Sequence, residues 1–546
     1  MTTAFNVIAA GSLLLAAQGA YAAQSSDSSV PAANASVVQA ASAASAASAP
    51  GTANAASAVS VASTASTTVA GSAPPSAAAA TPASSSLLQA QTETRQNPPG
   101  VGLPVPSVPP GEGPAARQGP LAHVGDVLEE HGVSLGLLFT NAYFANPSTG
   151  ISPGKSADYG ALFMKANVDL DKLVGIPDTQ FNITESWNRP SHNTKTYLFQ
   201  TGSAFTPFPV EPESTDLVKF TLSHDLFNKR LHIEYGRMNL NDDFMVTTMC
   251  SGCVNSTMAN VLDAPGVTKS VWGARMAYAL SRNTRLGLGV IEDNTDIWQN
   301  TTGWDWRTRT RTGWTGIVNV LHETDFSETR YPLKAEAGIY HRTTPYQDAL
   351  YNVDGSSQAL NSSGTPLEHG RGTWGFYGQA RKVVWRADEA SGPVPRNVAL
   401  YGGAFITPGP GQSYPIEAYG GAEYGGFLRN NPAAMVGSTV RYIRLSSERA
   451  LYEQQARAAF TGLLNASTGG AVPVVNEGVA RNTFTFDVHG QFGLVPGVLV
   501  QGFAQYFLHP NTAVLASVST TPIRSGWMVG MFLVVDLGRI TGLSRP

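Results

Sequence analysis

Charge is scarce in this chain of 546 residues: Asp, Glu, Lys and Arg together make up 14% of it, and their balance is a net −4. A protein that binds nucleic acid by neutralising phosphates needs a basic excess, so that class is excluded. Cysteine is nearly absent. Cys250 and Cys253 are the only two, which excludes a disulfide-dense secreted scaffold. After the first 22 residues no apolar run approaches the roughly 20 residues of a membrane-spanning helix. That removes helical membrane proteins and leaves β-barrels, whose strands need only about 9 to 11 residues each. No G-x-S-x-G motif stands out, and no nucleotide or metal motif either, so the sequence assigns no catalytic residue, no cofactor and no metal.

Glycine is abundant, with 55 copies, and high glycine with low charge suits many short strands and turns. The N-terminus has an apolar run from Val7 to Ala17 and a small-x-small site at Ala20-Tyr21-Ala22, the pattern of a secretory signal peptide over residues 1–22. Residues 23–120 are rich first in Ala and Ser, then in Pro and Gly. Such a stretch buries too little apolar surface to offset its ordering entropy, so it reads as a disordered low-complexity tether. Residues 121–546 form the remaining domain.

In that domain apolar and polar residues alternate, the period of a strand with one greasy and one wet face. In TFTFDVHGQFGL, Phe484, Phe486 and Val488 share one face, and Thr485, Asp487 and His489 the other. In LKAEAGIYHR, Glu336 and Tyr340 oppose Ala335 and Ile339. In TWGFYGQARK, Tyr377 and Arg381 oppose Trp374 and Phe376. About sixteen such segments recur between residues 134 and 536, an even number of the size outer-membrane porins use. A soluble sandwich would carry more Lys and Glu on its outward faces. The fold expected is therefore all-β: an outer-membrane antiparallel β-barrel of about sixteen strands behind a disordered N-terminal tether. Residues 446–460 break the alternation and read as a short helix capping a turn.

The stretch GWDWRTRTRTGW repeats arginine at every second position, so Arg307, Arg309 and Arg311 share one strand face, while Trp304, Trp306 and Trp314 point the other way. On a barrel the arginines would face the water-filled lumen and the tryptophans an aromatic girdle; on a soluble protein they would be a solvated face. In an exported protein Cys250 and Cys253, spaced as CSGC, read best as a local disulfide closing a loop. A zinc site would need two further ligands, and no nearby histidine supplies them.

Several segments carry a family resemblance: the Gly-led strand from Gly132, the Gly-rich turn Ser148 to Gly154, the Asp169 to Leu173 turn, RLHIEYGRMNLNDDF with Gly236 and Arg237, Glu448 to Glu453, and VPGVLVQGFAQYFLHP. Over roughly residues 120 to 540 the chain resembles the carbohydrate-selective porins of Gram-negative outer membranes, the OprB-like family. The resemblance implies passive diffusion of mono- and small oligosaccharides across the outer membrane of a Gram-negative bacterium. Expected partners are small-molecule sugars and outer-membrane lipid, with no nucleic acid, as a homotrimer or a monomer. Guanidinium groups would offer fixed donors to sugar hydroxyls, carboxylates would accept hydroxyl protons, and aromatic rings would stack on sugar faces. The candidate constriction residues are Arg307, Arg309, Arg311, Glu336, Arg381, Tyr340, Tyr377 and Asp487. The alternatives are a general or anion-preferring porin, since arginines also favour anionic solutes, and, more distantly, a barrel hydrolase.

Overall fold

The computed structural model describes residues 117–150, 153–190, 214–238, 249–250, 270–294, 303–306, 312–370, 372–387, 395–409, 412–474, 478–510 and 520–545. The signal peptide and nearly all of the tether expected from the sequence, together with Arg307, Arg309, Arg311 and Cys253, lie outside the described residues.

Helix α1 (Ala122–Glu130) leads into β1 (Val133–Asn146), β2 (Lys155–Asp169) and the short helix α2 (Leu170–Val174). Five strands follow: β3 (Thr179–Pro190), β4 (Ser214–Leu226), β5 (Leu231–Met238), β6 (Val271–Ala279) and β7 (Thr284–Asn294). Then come β8 (Thr312–Glu323), β9 (Leu333–Arg342), and a pair of short strands, β10 (Tyr346–Asn352) and β11 (Pro366–His369). The chain continues through β12 (Thr373–Arg386), β13 (Asn397–Ile406), β14 (Ile416–Gly425) and β15 (Met435–Arg444). Helix α3 (Ser447–Thr468) precedes β16 (Asn482–Val495), β17 (Val498–Leu508) and β18 (Gly526–Asp536), and α4 (Leu537–Thr541) ends the order.

Sixteen of these strands close into one barrel in which β1 pairs with β18 and every hydrogen-bonded neighbour is antiparallel, while β10 and β11 form a separate two-stranded sheet. Each alternating segment in the sequence became a barrel strand. The small sheet was not expected, because its strands are too short to show a period. Helix α3 is also longer than the sequence suggested. It begins at an N-cap where Ser446 accepts from the Arg449 N–H, and it ends on Gly469 in the left-handed conformation.

At one rim the connections are short, as at residues 227–230, 280–283 and 496–497, and at the other they are long. In outer-membrane barrels the short turns face the periplasm. Lipid-facing positions alternate with buried ones along each strand: Val318, Val320, Ile339, Phe376, Phe486, Val488 and Met531 are exposed large apolar residues. At the long-loop rim Trp187, Trp314, Trp374 and Trp527 extend this outer face, matching an aromatic girdle at the membrane interface. Arg237, paired in register with Trp272, fastens part of the β7–β8 connection there. It donates to the Gly303 carbonyl at 2.9 Å and lies 5.7 and 5.9 Å from the Trp272 and Trp306 rings. Among the described residues no helix is long and apolar enough to cross a membrane.

At the short-turn rim the two ends of the domain are clasped. Leu121 N–H donates to the Thr541 carbonyl at 2.8 Å, and Glu129 accepts from both Arg117 and Arg545. Burial raises the Glu129 carboxyl, but the hydrogen bonds and charges of Arg545 and Arg117 outweigh it and hold the group below its ordinary range.

Candidate functional site in the barrel lumen

Polar residues at inward positions of β8 to β17 form a continuous hydrogen-bonded wall. Glu336 on β9 accepts from Asn319 on β8 at 2.8 Å, and from Tyr377 and Gln379 on β12 at 2.9 and 3.0 Å. Gln379 in turn accepts from the Tyr419 hydroxyl on β14 at 2.7 Å. The strand pleat explains the grouping, since alternate residues on neighbouring strands meet on one face. Glycine provides the space. Tyr377 is in register with Gly338, where an added Cβ would lie 2.6 Å from the tyrosine ring.

A second group continues the wall. Glu423 on β14, Gly437 on β15 and His489 on β16 are register partners in sequence across three strands, so the carboxylate and the imidazole meet over a glycine, 3.6 Å apart. A Cβ on Gly437 would fall 2.5 Å from His489 Nε2 and 2.8 Å from Glu423 Cγ. His489 Nδ1 is 2.5 Å from Asp487, and Asp487 also accepts from Gln505 on β17 at 3.0 Å. Arg381 on β12 pairs with the other oxygen of Glu423.

Part of the long β5–β6 connection sits against this wall. Met249 N–H donates to the Tyr419 hydroxyl at 2.8 Å, and the Met249 carbonyl accepts from Arg381 at 3.4 Å, so both backbone polar groups of this residue are held by lumen side chains. Cys250 follows, 5% exposed, with its sulfur 3.3 Å from Glu423 Oε1. Cys250 is disulfide-bonded. A loop segment is thus docked against lumen side chains of β12, β14 and β16 at this level.

Four of the residues expected from the sequence come together here: Glu336, Tyr377, Arg381 and Asp487 belong to one connected wall. Tyr340 is on the same inner face, but its hydroxyl meets Thr407 at 2.8 Å and the residue is 2% exposed. Tyr377 is 5% exposed and stacks on Phe405 with ring centroids 5.4 Å apart. Both rings are packed into the wall. Glu423, Gln379, Tyr419, Gln505 and Met249 were not singled out from sequence, and Cys250 was expected only as a disulfide partner closing a loop. The inward parity of Glu417, Tyr419 and Glu423 in IEAYGGAEYG is the signal that was available.

Several charged side chains among the described lumen residues are paired. Glu234 holds Lys219 at 3.0 Å and Arg275 at 2.7 Å, Arg342 is 2.7 Å from Asp293, and Arg441 is bound to Glu417. A profile of the carbohydrate-selective porin, OprB family, matches residues 154–483, more than half of the chain. The chain belongs to that family. It is a carbohydrate-selective porin of the Gram-negative outer membrane. The high-pH structure of Pseudomonas putida OprB is similar to this porin with a TM-score of 0.61 at 16% identity, over 76% of this chain and 96% of that one. The low-pH structure of the same Pseudomonas putida protein gives 0.44 at 12% identity, over 76% and 95%. The outer-membrane channel DcaP of Acinetobacter baumannii gives 0.39 at 11%, over 74% and 97%. No curated protein sequence matches this one significantly. Family and fold are those of a channel rather than an enzyme.

Proposed function

We propose that this porin passes mono- and small oligosaccharides by passive diffusion, and that the wall from Glu336 to Asp487, faced by Met249 and Cys250, is where sugars are selected. The observation that carries the reading is the docking of the Met249 peptide on Tyr419 and Arg381, which sets a narrowing beside a dense array of donors and acceptors. Sugar hydroxyls both donate and accept, so a wall offering Arg381, Gln379 and His489 beside Glu336 and Asp487 suits them. Among the described residues, the pairing of Arg342, Arg381 and Arg441 with carboxylates favours neutral solutes over the anion-preferring alternative, because the positive charge of these three groups is balanced.

Arg381→Ala is the direct test. It removes a multi-donor fork from the narrowing and frees one end of the docked segment. Sugar block of single-channel current should weaken about tenfold, with conductance raised, while swelling of proteoliposomes in sugars should lose its advantage over amino acids of similar size. Equal swelling rates for sugars and amino acids in the unaltered protein would make it a general porin instead.

A further inference from the structure

Near the narrowing, three potential metal ligands from distant parts of the chain converge. Cys250 Sγ is 3.3 Å from Glu423 Oε1 and 3.8 Å from His489 Nε2, and those two atoms are 3.6 Å from each other. All three residues are buried, and the three ligand atoms lie within 4.8 Å of one another. A tetrahedral Zn2+ with Zn–S near 2.3 Å and Zn–N or Zn–O near 2.0 to 2.1 Å would need ligand-to-ligand spacings of roughly 3.3 to 3.6 Å. The observed triangle is close to that size. The supporting contacts are those that metal sites use. His489 presents Nε2 to the cluster while Nδ1 faces Asp487 at 2.5 Å, the carboxylate–histidine pairing that fixes a ligating ring. Glu423 turns Oε1 to the cluster and leaves Oε2 with Arg381.

With Cys250 in a disulfide the sulfur cannot serve as a thiolate ligand. We propose that when Cys250 is released as a free thiol, Cys250, Glu423 and His489 bind a divalent, thiophilic cation of the Zn2+ type, with at least one coordination position open to water. The release is a two-electron exchange with a dithiol reductant. One thiolate of the reductant attacks the disulfide, its second sulfur displaces the remaining cysteine, the reductant leaves as a cyclic disulfide, and each cysteine sulfur takes up a proton. Binding the cation then expels the proton of the Cys250 thiol. The bound ion would tie the Met249–Cys250 segment to β14 and β16 through metal bonds, keeping the narrowing fixed after the disulfide is lost.

The test uses the full-length protein in detergent, with Co2+ as the probe. In Cys253→Ser, Cys250 has no cysteine partner within its own chain, so no reductant is needed. The expected result is one Co2+ per chain, with a thiolate-to-cobalt charge-transfer band that Zn2+ displaces. Adding Asp487→Asn should weaken binding 10- to 100-fold, as loss of such a supporting carboxylate does, and adding Cys250→Ser should abolish the band. Dithiol-reduced wild type provides the same readout without any substitution. Absence of the band from both the reduced wild type and heat-modifiable, folded Cys253→Ser would overturn the proposal, and so would a band unaffected by Asp487→Asn. Neither result bears on sugar passage, which is read by swelling and current block.

Discussion

Two parts of the same inner wall are built on opposite chemistry. From β8 to β17 the lumen face carries hydrogen-bonded polar and charged side chains, whereas on β17, β18, β1 and β2 it includes Phe503, Phe507, Met528, Phe532, Val534, Leu138, Phe144, Tyr159 and Phe163, all buried in one cluster. Strand β18 is therefore apolar on both faces, since Trp527, Met531 and Val535 occupy its outward positions. A polar lumen is the rule for porins, so the exception has a structural meaning. The first and last strands meet at β1 and β18, and this seam closes with side-chain packing like that of a soluble core. Ile443, Leu445, Tyr414 and Ala450 at the start of α3 belong to the same cluster, so the long-loop helix is anchored to the apolar side. The polar part is the one proposed to select, and the apolar part packs the seam where the ring closes.

The sharpest way to separate the two is to remove a ring from the seam. Phe532 is 1% exposed and meets Phe144 edge-on at 5.2 Å between centroids. Phe532→Ala should cost about 3 to 5 kcal/mol of stability, the usual loss for a buried phenylalanine, read as an earlier urea or thermal unfolding midpoint in detergent. Sugar block should stay within twofold of wild type. A large loss of sugar block without loss of stability would show that the apolar wall takes part in selection.

On the polar side, Gly437→Ala forces a methyl between His489 and Glu423, at 2.5 Å from the imidazole Nε2. Overpacking of this kind costs about 1 to 3 kcal/mol. Here the functional effect should exceed the stability effect: sugar block falls severalfold because Glu423 and the docked Cys250 are displaced. If the variant blocks as wild type does, Glu423 and His489 are wall structure only.

Much of this was legible beforehand. Period-two alternation marks every barrel strand, because lipid on one side and polar wall on the other impose opposite demands on alternate residues. It also places Glu336, Tyr377, Arg381 and Asp487 on inward faces. What it cannot show is which inward residues meet across the lumen. Cys250 reaches Glu423 across 173 residues of sequence and His489 across 239, which is why a search for histidine near CSGC finds no ligand. The seam was obscured for a different reason: where both faces are apolar, as in WMVGMFLVVDL, alternation carries no information on which is the lumen.

The clasp at the short-turn rim should respond to acid. Glu129 has a lowered carboxyl pKa through Arg545 and Arg117, so its contribution is complete above the ordinary carboxylate range and is lost as pH falls through the depressed folded value. Amide exchange in α1 should therefore quicken on acidification. Glu129→Gln should quicken it already at neutral pH. The group is partly exposed, so the effect on global stability is less than about 1 kcal/mol.

The smallest effect is expected where the sequence is most conspicuous. Arg307, Arg309 and Arg311 are bracketed in sequence by Trp306 and Trp314, and both of these tryptophans are exposed, with Trp306 packed on Trp272 and Trp314 in register with Glu292 on the outward face of β7. Anchors on the outer side of the rim on both flanks favour a weaker claim on the sugar path than Arg381 has, since Arg381 touches the docked Met249 directly. Replacing all three arginines with alanine should leave the unfolding free energy within about 0.5 kcal/mol of wild type. Cation preference should rise modestly, because three positive charges are gone, and sugar block should weaken less than in Arg381→Ala. If the triple variant loses more sugar block than Arg381→Ala, the arginine ladder lines the constriction and the selecting surface extends beyond the Glu336 to Asp487 wall.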